Sequence, residues 1–271
     1  MTTADSIAER RAAFRALHQQ GCFVLPNPWD RGSARFLEHL GFAALATTSS
    51  GAAWSRGRPD GSATRDEALD HLADIVGATA LPVNADFEDG YGATPDDVAV
   101  SVALAVQTGV AGLSIEDASG AQPYDVAVAV ERIAAAREAI DASGADVLLV
   151  GRSEGFISGR PDLPETLDRL RAYAAAGADC LYAPGIIDPE QVAALVAAVA
   201  PKPVNVLVGG PSDLTVHGFA GLGVRRISVG GALAKAAWRG FERAAVGLAA
   251  GGFDALPSSP GTDLDTLFGR P

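Results

Sequence analysis

The chain has 271 residues, 48% of them hydrophobic and 20% charged, with 31 Gly and 16 Pro, and it holds no apolar run near the ~18 residues that cross a bilayer. That composition excludes a disordered chain and, with only two cysteines, a disulfide scaffold. The formal charge of −12, from 21 basic against 33 acidic residues, argues against nucleic-acid and anionic-membrane partners, both of which need basic patches.

Met1 to Gln20 mixes Asp5, Glu9, Arg10, Arg11 and Arg15 without the apolar core of a signal peptide, so it reads as an ordinary helix and the expected compartment is the cytoplasm. Eight β-rich runs follow: Cys22–Pro28, Ala43–Ser49, Leu81–Phe87, Gly112–Asp117, Val147–Ser153, Cys180–Gly185, Pro203–Gly209 and Arg226–Gly231. Helical patterns lie between them, among them Asp97–Thr108, Val126–Ile140, Glu165–Ala176 and Pro189–Ala200. Capping chemistry marks their starts at Thr64 with Glu67, Thr94-Pro95 and Asp188-Pro189, while Gly109, Gly177 and Gly221 suit their exits. Alternating strands and helices predict an α/β fold, a (β/α)₈ TIM barrel in a single domain over residues 1–250 with a helical C-terminal tail over 251–271. A doubly wound Rossmann sheet is the second choice, disfavoured because no G-x-G-x-x-G follows the first strand.

In such a barrel the chemistry lies at the carboxyl ends of the strands, where side chains two residues apart share a face. Asn84, Asp86 and Glu88 share parity on the third strand, Ser114 and Glu116 on the fourth, and Arg152 and Glu154 on the fifth. Carboxylates gathered over an apolar core repel one another unless a cation compensates. An all-oxygen set without His or Cys favours Mg²⁺, with Mn²⁺ possible as a substitute, over zinc. The cluster competes with a bland reading in which each acid caps a helix or pairs with an arginine.

Other features divide between function and packing. Thr47–Gly51 offers hydroxyls and N–H groups to an anion, and Trp54–Gly61 has the composition of a polar lid with glycine hinges. The only lysines are Lys202, at the wrong end of the barrel, and Lys235, a turn into the helix after the eighth strand, which argues against a Schiff-base aldolase. Cys22 and Cys180 read as buried free thiols, and His18, His39, His71 and His217 as packing or surface residues. Gly209-Gly210 and Gly230-Gly231 keep a phosphosugar barrel open as an alternative, since that is where many barrels hold a phosphate.

The run Leu81-Pro-Val-Asn-Ala-Asp86-Phe-Glu88-Asp-Gly-Tyr-Gly92, supported by Ile115-Glu116-Asp117, Gly151-Arg152-Ser153-Glu154-Gly155-Phe156 and Ala176-Gly-Ala-Asp179, resembles the isocitrate lyase and phosphoenolpyruvate mutase superfamily from about Leu25 to Ala237. The resemblance implies that Asp86 binds Mg²⁺ directly, with Glu88 and Glu116 holding it mainly through water. It implies also that Arg152 contacts the substrate's carboxylate or phosphonyl group, that Thr48, Ser49 and Ser50 form an oxyanion-binding turn, and that Asp60 belongs to a mobile active-site loop. The chemistry implied is cleavage or rearrangement of a small 2-oxo or 2-hydroxy carboxylate through an enolate, in a homo-oligomer, dimer or tetramer.

The chain departs from the pattern after the fourth strand. Lyases of the superfamily carry Lys-Lys-Cys-Gly-His or a similar run there, and mutases a lysine with Asn-Ser or Thr-Ser; this chain has Ala118-Ser-Gly-Ala-Gln-Pro-Tyr124. Asp60 is then the first candidate for the missing acid, with Glu154 and Tyr124 behind it, and Tyr124 and Asn205 are further candidates for substrate contact. A carbon–carbon lyase is expected, carbon–phosphorus chemistry or a catalytically silent carboxylate-binding barrel being the alternatives.

Overall fold

The computed structural model describes residues 3–258 and 261–269. Met1 and Thr2 of the expected N-terminal helix, and Ser259, Pro260, Arg270 and Pro271 of the expected tail, lie outside the described residues. Eight parallel strands form one sheet: β1 (Phe23–Leu25), β2 (Leu45–Ala46), β3 (Val83–Asp86), β4 (Gly112–Glu116), β7 (Leu148–Arg152), β8 (Cys180–Tyr182), β9 (Val204–Leu207) and β10 (Arg226–Ser228). Their order is β1-β10-β9-β8-β7-β4-β3-β2, each neighbouring pair parallel, and a separate antiparallel hairpin joins β5 (Ala118–Ser119) to β6 (Gln122–Pro123). Each of the eight expected runs contains one barrel strand. The second is the most shortened, because Thr48 leaves the sheet to cap helix α3 (Ser49–Ser55).

The first and last strands of that order meet at β1 and β2, where the Ala46 N–H donates to the Pro26 carbonyl at 3.0 Å. Pro26 has no N–H to return, and a side chain completes the seam instead. Asn27 donates from Nδ2 to the Thr47 carbonyl at 2.8 Å, while its Oδ1 accepts from the N–H groups of Val229 and Gly230, both at 2.9 Å. One buried amide thus ties the ends of β1, β2 and β10.

Alternation along the strands sorts their side chains into two environments. Val83, Ala85, Phe87, Leu113, Ile115, Leu149, Leu181, Val204, Val206 and Ile227 point outward and join the main apolar core under the helices. Their neighbours point into the barrel, and several of these are polar: Asn84, Ser114, Asn205, Arg226 and Ser228 are all buried. Helix α1 (Thr3–Leu17) closes the amino-terminal end. Phe14 is fully buried against Leu25, Ala44, Ala46, Ala111 and Leu148. Gly112 is required beneath it, since a Cβ there would sit 2.7 Å from the Phe14 ring and 2.8 Å from Asn84 Oδ1. The arginines of α1 fasten it, Arg10 to the carbonyls of Val76 and Thr79, Arg11 to those of Val106 and Val110, and Arg15 to Asp146.

The helix starts agree with their sequence signals. Thr64 caps α4 (Arg65–Ala78) and Thr94 caps α5 (Pro95–Gln107) in reciprocal boxes with Glu67 and Asp97, and Asp188 caps α8 (Pro189–Val199). Gly109 and Gly177 take left-handed φ of 92° and 108° at helix exits, but at the third expected exit Gly221 stays helical and Gly223 makes the turn, at φ 90°. Helix α10 (Ala232–Ala249) leaves Trp238, Phe241 and Val246 exposed. The expected short tail helix is α11 (Leu264–Phe268), which rests on α2 (Arg31–His39) through Arg35 and the Phe268 carbonyl and ring. No helix of the described residues is long and apolar enough to cross a membrane.

Asn27→Ala orphans two part-buried N–H groups and one buried carbonyl, so a loss of about 1–3 kcal/mol is expected in denaturant unfolding at pH 7. A loss below about 0.5 kcal/mol would show that the seam is held by the strands alone.

Candidate active site

A cavity of about 500 Å³ opens at the carboxyl ends of the strands. Its lining includes Thr48, Ser49, Ser50, Asp60, Asp86, Glu88, Glu116, Arg152 and Glu154, all of them named from the sequence. Strand register brings the central group together: Asp86 pairs with Ser114 across β3 and β4, and Glu116 pairs with Arg152 across β4 and β7.

Arg152 is the hub. Its Nη1 lies 2.7 Å from Glu116 Oε1 and 3.2 Å from Asp86 Oδ1, and its other edge grips Glu154, through Nε to Oε1 and through Nη2 to Oε2 at 3.0 Å. The guanidinium also lies over the Tyr182 ring, 5.1 Å from its centroid. Burial disfavours its charge, but Glu116 and Glu154 outweigh burial and hold it well above its ordinary pKa. Glu154 is positioned in turn by Asp117, whose Oδ1 accepts the Glu154 N–H at 2.8 Å and whose Oδ2 accepts the Tyr173 hydroxyl at 2.6 Å.

Asp86 is fixed on its other side by Ser49, whose N–H and hydroxyl both donate to Oδ2 at 3.0 Å. Beyond β3 the backbone turns sharply. Glu88 and Tyr91 adopt left-handed φ of 44° and 52°, uncommon for residues with a Cβ, and the Tyr91 hydroxyl donates to Glu88 Oε1 at 2.9 Å. Asp89 anchors this turn, accepting from the Tyr124 hydroxyl at 2.7 Å and pairing with the buried Arg132 at 3.3 Å.

These acids are more numerous than the cations that meet them. Burial, then the nearby Asp86, Asp60 and Asp89, push Glu88 up to about 7 despite the Tyr91 hydrogen bond. Burial also raises Glu116 well above the carboxylate range, and raises Glu154 and Asp60. Asp86 adds its repulsion to each.

A family model described as phosphoenolpyruvate phosphomutase matches residues 14–249. The chain belongs to the phosphoenolpyruvate phosphomutase family. Within that superfamily, shared with isocitrate lyases, it resembles a crystal structure of a candidate lyase/mutase from Burkholderia cenocepacia J2315, with TM-score 0.94, 48% identity and 98% of each chain covered. An oxaloacetate decarboxylase of Bradyrhizobium sp. (strain BTAi1 / ATCC BAA-1182) is 30% identical over 82% of this chain and 77% of its own. The structure of an oxaloacetate acetylhydrolase in complex with the product oxalate matches with TM-score 0.85 and 29% identity, over 97% of this chain and 93% of that one.

Several expectations for this family member need correction. Tyr124 is not among the residues lining the cavity, since its hydroxyl is committed to Asp89 and its ring lies under Arg132. Asn205 is buried below the cavity, bonded to Ser228 and Arg226. Thr48 Oγ1 accepts the Gly51 N–H as a helix cap and meets Ser50 Oγ at 3.0 Å, and Ser49 spends its donors on Asp86, so the turn first orients a carboxylate of the protein. The expected lid is partly helix, through Ser55, and Arg58 ties the rest to Glu67 and the Ser62 carbonyl. Gly209 and Gly210 do not line the cavity; Gly230 and Gly231 do, but the Gly230 N–H is taken by Asn27, so only part of the expected phosphosugar site is in place.

After β4, where the side chains expected of a lyase or a mutase are missing, Gly120 turns the β5–β6 hairpin at φ 58° and itself lines the cavity. Asn27, Tyr182, Arg226 and Ser228, which belong to no motif of the sequence, also line it, as do Ser114, expected on the face of Glu116, and Lys235, expected a turn into the helix after the eighth strand. The parity rule used on three strands would have found Arg226 and Ser228 on β10.

Among the described residues no three acidic, histidine or cysteine side chains come close enough to hold an ion directly. Arg152 occupies the gap between Asp86 and Glu116. A hydrated Mg²⁺ or Mn²⁺ still fits the donor chemistry, because all the acids offer hard oxygens and Glu88, Glu116 and Asp60 carry raised pKa values that a cation would relieve.

Because the folded pKa of Glu88 lies above its ordinary 4.5, its contribution to stability is complete below about pH 4.5 and is lost as pH rises through about 7. In metal-free buffer, Glu88→Gln should therefore gain on the natural chain in melting temperature across that window. Parallel melting profiles would show that Glu88 does not carry the charge excess.

Proposed function

We propose that the protein is a Mg²⁺-dependent lyase that breaks a carbon–carbon bond of a small 2-oxo or 2-hydroxy carboxylate through an enolate. The observation that carries this reading is the meeting of Arg152, Asp86, Glu116, Glu154 and Asp60 around one cavity. Asp86 is the proposed direct metal ligand, with Glu88 and Glu116 acting through water. A bound Mg²⁺ supplies Lewis-acid polarisation of the substrate's keto and carboxylate oxygens.

The protein's own groups do the rest. Arg152, held in one orientation by Glu154, directs its fork at a substrate carboxylate, and Ser49 fixes Asp86. Asp60, although solvent-exposed, lines the cavity within reach of the Asp86 charge and its pKa is raised, so it retains a proton more readily than an aspartate without such a neighbour and is the proposed donor to the enolate carbon. The β5–β6 hairpin offers Ala118, Gly120 and Ala121 where an acid would otherwise stand, which leaves Asp60 as the better-placed group. The named activities of the decarboxylase and the acetylhydrolase, both acting on oxaloacetate, support a carbon–carbon reading over phosphonate chemistry. The same hairpin also favours a second reading, a catalytically silent carboxylate-binding barrel. The exposed Trp238, Phe241 and Val246 of α10 support a homo-oligomer.

Turnover with Mg²⁺ is assayed on oxaloacetate, methylisocitrate and phosphonopyruvate. Carbon–carbon cleavage is expected, with Asp60→Asn lowering kcat by about 10²-fold or more and changing KM little. Binding without turnover across the panel would establish the silent reading, and preferred turnover of phosphonopyruvate would overturn the carbon–carbon one.

A further inference from the structure

Arg152 meets three carboxylates of the protein and is already assigned one of the substrate's, so it has no charge to spare for a second anionic group. A second guanidinium lines the same cavity in a different condition. Arg226, at the start of β10, is 2% exposed and lies within the barrel. Its Nε donates to Asn205 Oδ1 at 2.9 Å and its Nη1 to Asn84 Oδ1 at 3.2 Å, two neutral oxygens that orient the fork without neutralising it. Among the described residues no carboxylate lies within ion-pair distance of it. The titratable groups acting on it are Cys180, Tyr182 and His18, and burial together with Arg226 itself keeps His18 neutral, with a pKa of about 3. Ser228, Asn84, Ser114 and Tyr182 border it in the cavity wall.

A buried guanidinium with no counter-charge is costly to a folded chain unless an anion reaches it. We propose that Arg226, with Ser228, forms a carboxylate-binding floor to the cavity and is the residue that seats the second anionic group of a diacid substrate. This deepens the reading of a carboxylate lyase and rests on it. Lys235, over the Trp54 ring with its Nζ 5.5 Å from the centroid, is the competing cation. Arg226 is favoured because it is desolvated and already oriented, and a carboxylate gains most from such a donor.

Calorimetric titration of the full chain with (S)-malate and (S)-lactate, in the presence of Mg²⁺, separates these possibilities, because the two hydroxy acids differ in the distal carboxylate. The natural chain should bind malate about tenfold or more tightly than lactate. Arg226→Gln should remove most of that preference while moving lactate affinity less than about twofold, and Lys235→Met should leave the preference intact. Arg226→Lys, which keeps the charge and loses the fork, should give an intermediate preference and carries the test if the glutamine variant does not fold. Thermal melts verify folding of each variant. An unchanged malate-to-lactate ratio in the Arg226 variants, a lost preference in Lys235→Met, or no preference in the natural chain would overturn the floor while leaving a carboxylate site in place. Failure of the natural chain to bind either acid would overturn the carboxylate reading as well.

Discussion

The contact on which the site depends is the guanidinium of Arg152 set among Asp86, Glu116 and Glu154. Four charged groups from the ends of three adjacent strands share one partly desolvated volume, where each carboxylate alone would repel the others and take up protons. The planar fork of arginine suits this position because it meets several oxygens at fixed angles, which a lysine could not do. Its single charge cannot offset all three carboxylates, and Asp60 and Glu88 add to the excess. That remainder makes the cavity receptive to a divalent cation and to the anionic acids such a cation would carry.

The barrel beneath is built to hold this arrangement. Its outward faces supply an ordinary apolar core, while the interior gives up packed hydrophobic layers for Asn84, Ser114, Asn205, Arg226 and Ser228. Helix α1 compensates at the bottom, where Phe14 fills the space above Gly112. At the top, side chains replace missing backbone links. Asn27 joins β1, β2 and β10, and Asp117 connects Glu154 to Tyr173 and Arg169 on α7 (Leu163–Ala175).

Much of this was legible in the sequence. Alternating apolar runs and capping residues located the strands and most helix starts, because both signals are local. Parity along strands placed Asp86, Glu116, Arg152 and Glu154 on one rim for the same reason. Hydrogen-bond commitments over long separations were not legible. Tyr124 was assigned to substrate although Asp89, 35 residues earlier, takes its hydroxyl, and Ser49 was read as an oxyanion donor although it serves Asp86. The charge balance was only half visible, since the acids stand out in the motif but the depth to which Arg152 enters them follows from barrel closure. Arg226 belongs to no motif and needed the same parity rule on β10, while Asn205, expected at the substrate, is committed instead to Ser228 and Arg226.

A crystal structure grown with Mn²⁺ and oxalate tests the account most directly, since anomalous scattering identifies the ion independently of its surroundings. The ion is expected beside Asp86, with oxalate between it and Arg152 and with Glu88 and Glu116 reached through water. An ion bound away from Asp86, or oxalate held in the cavity with no ion beside it, would contradict the account.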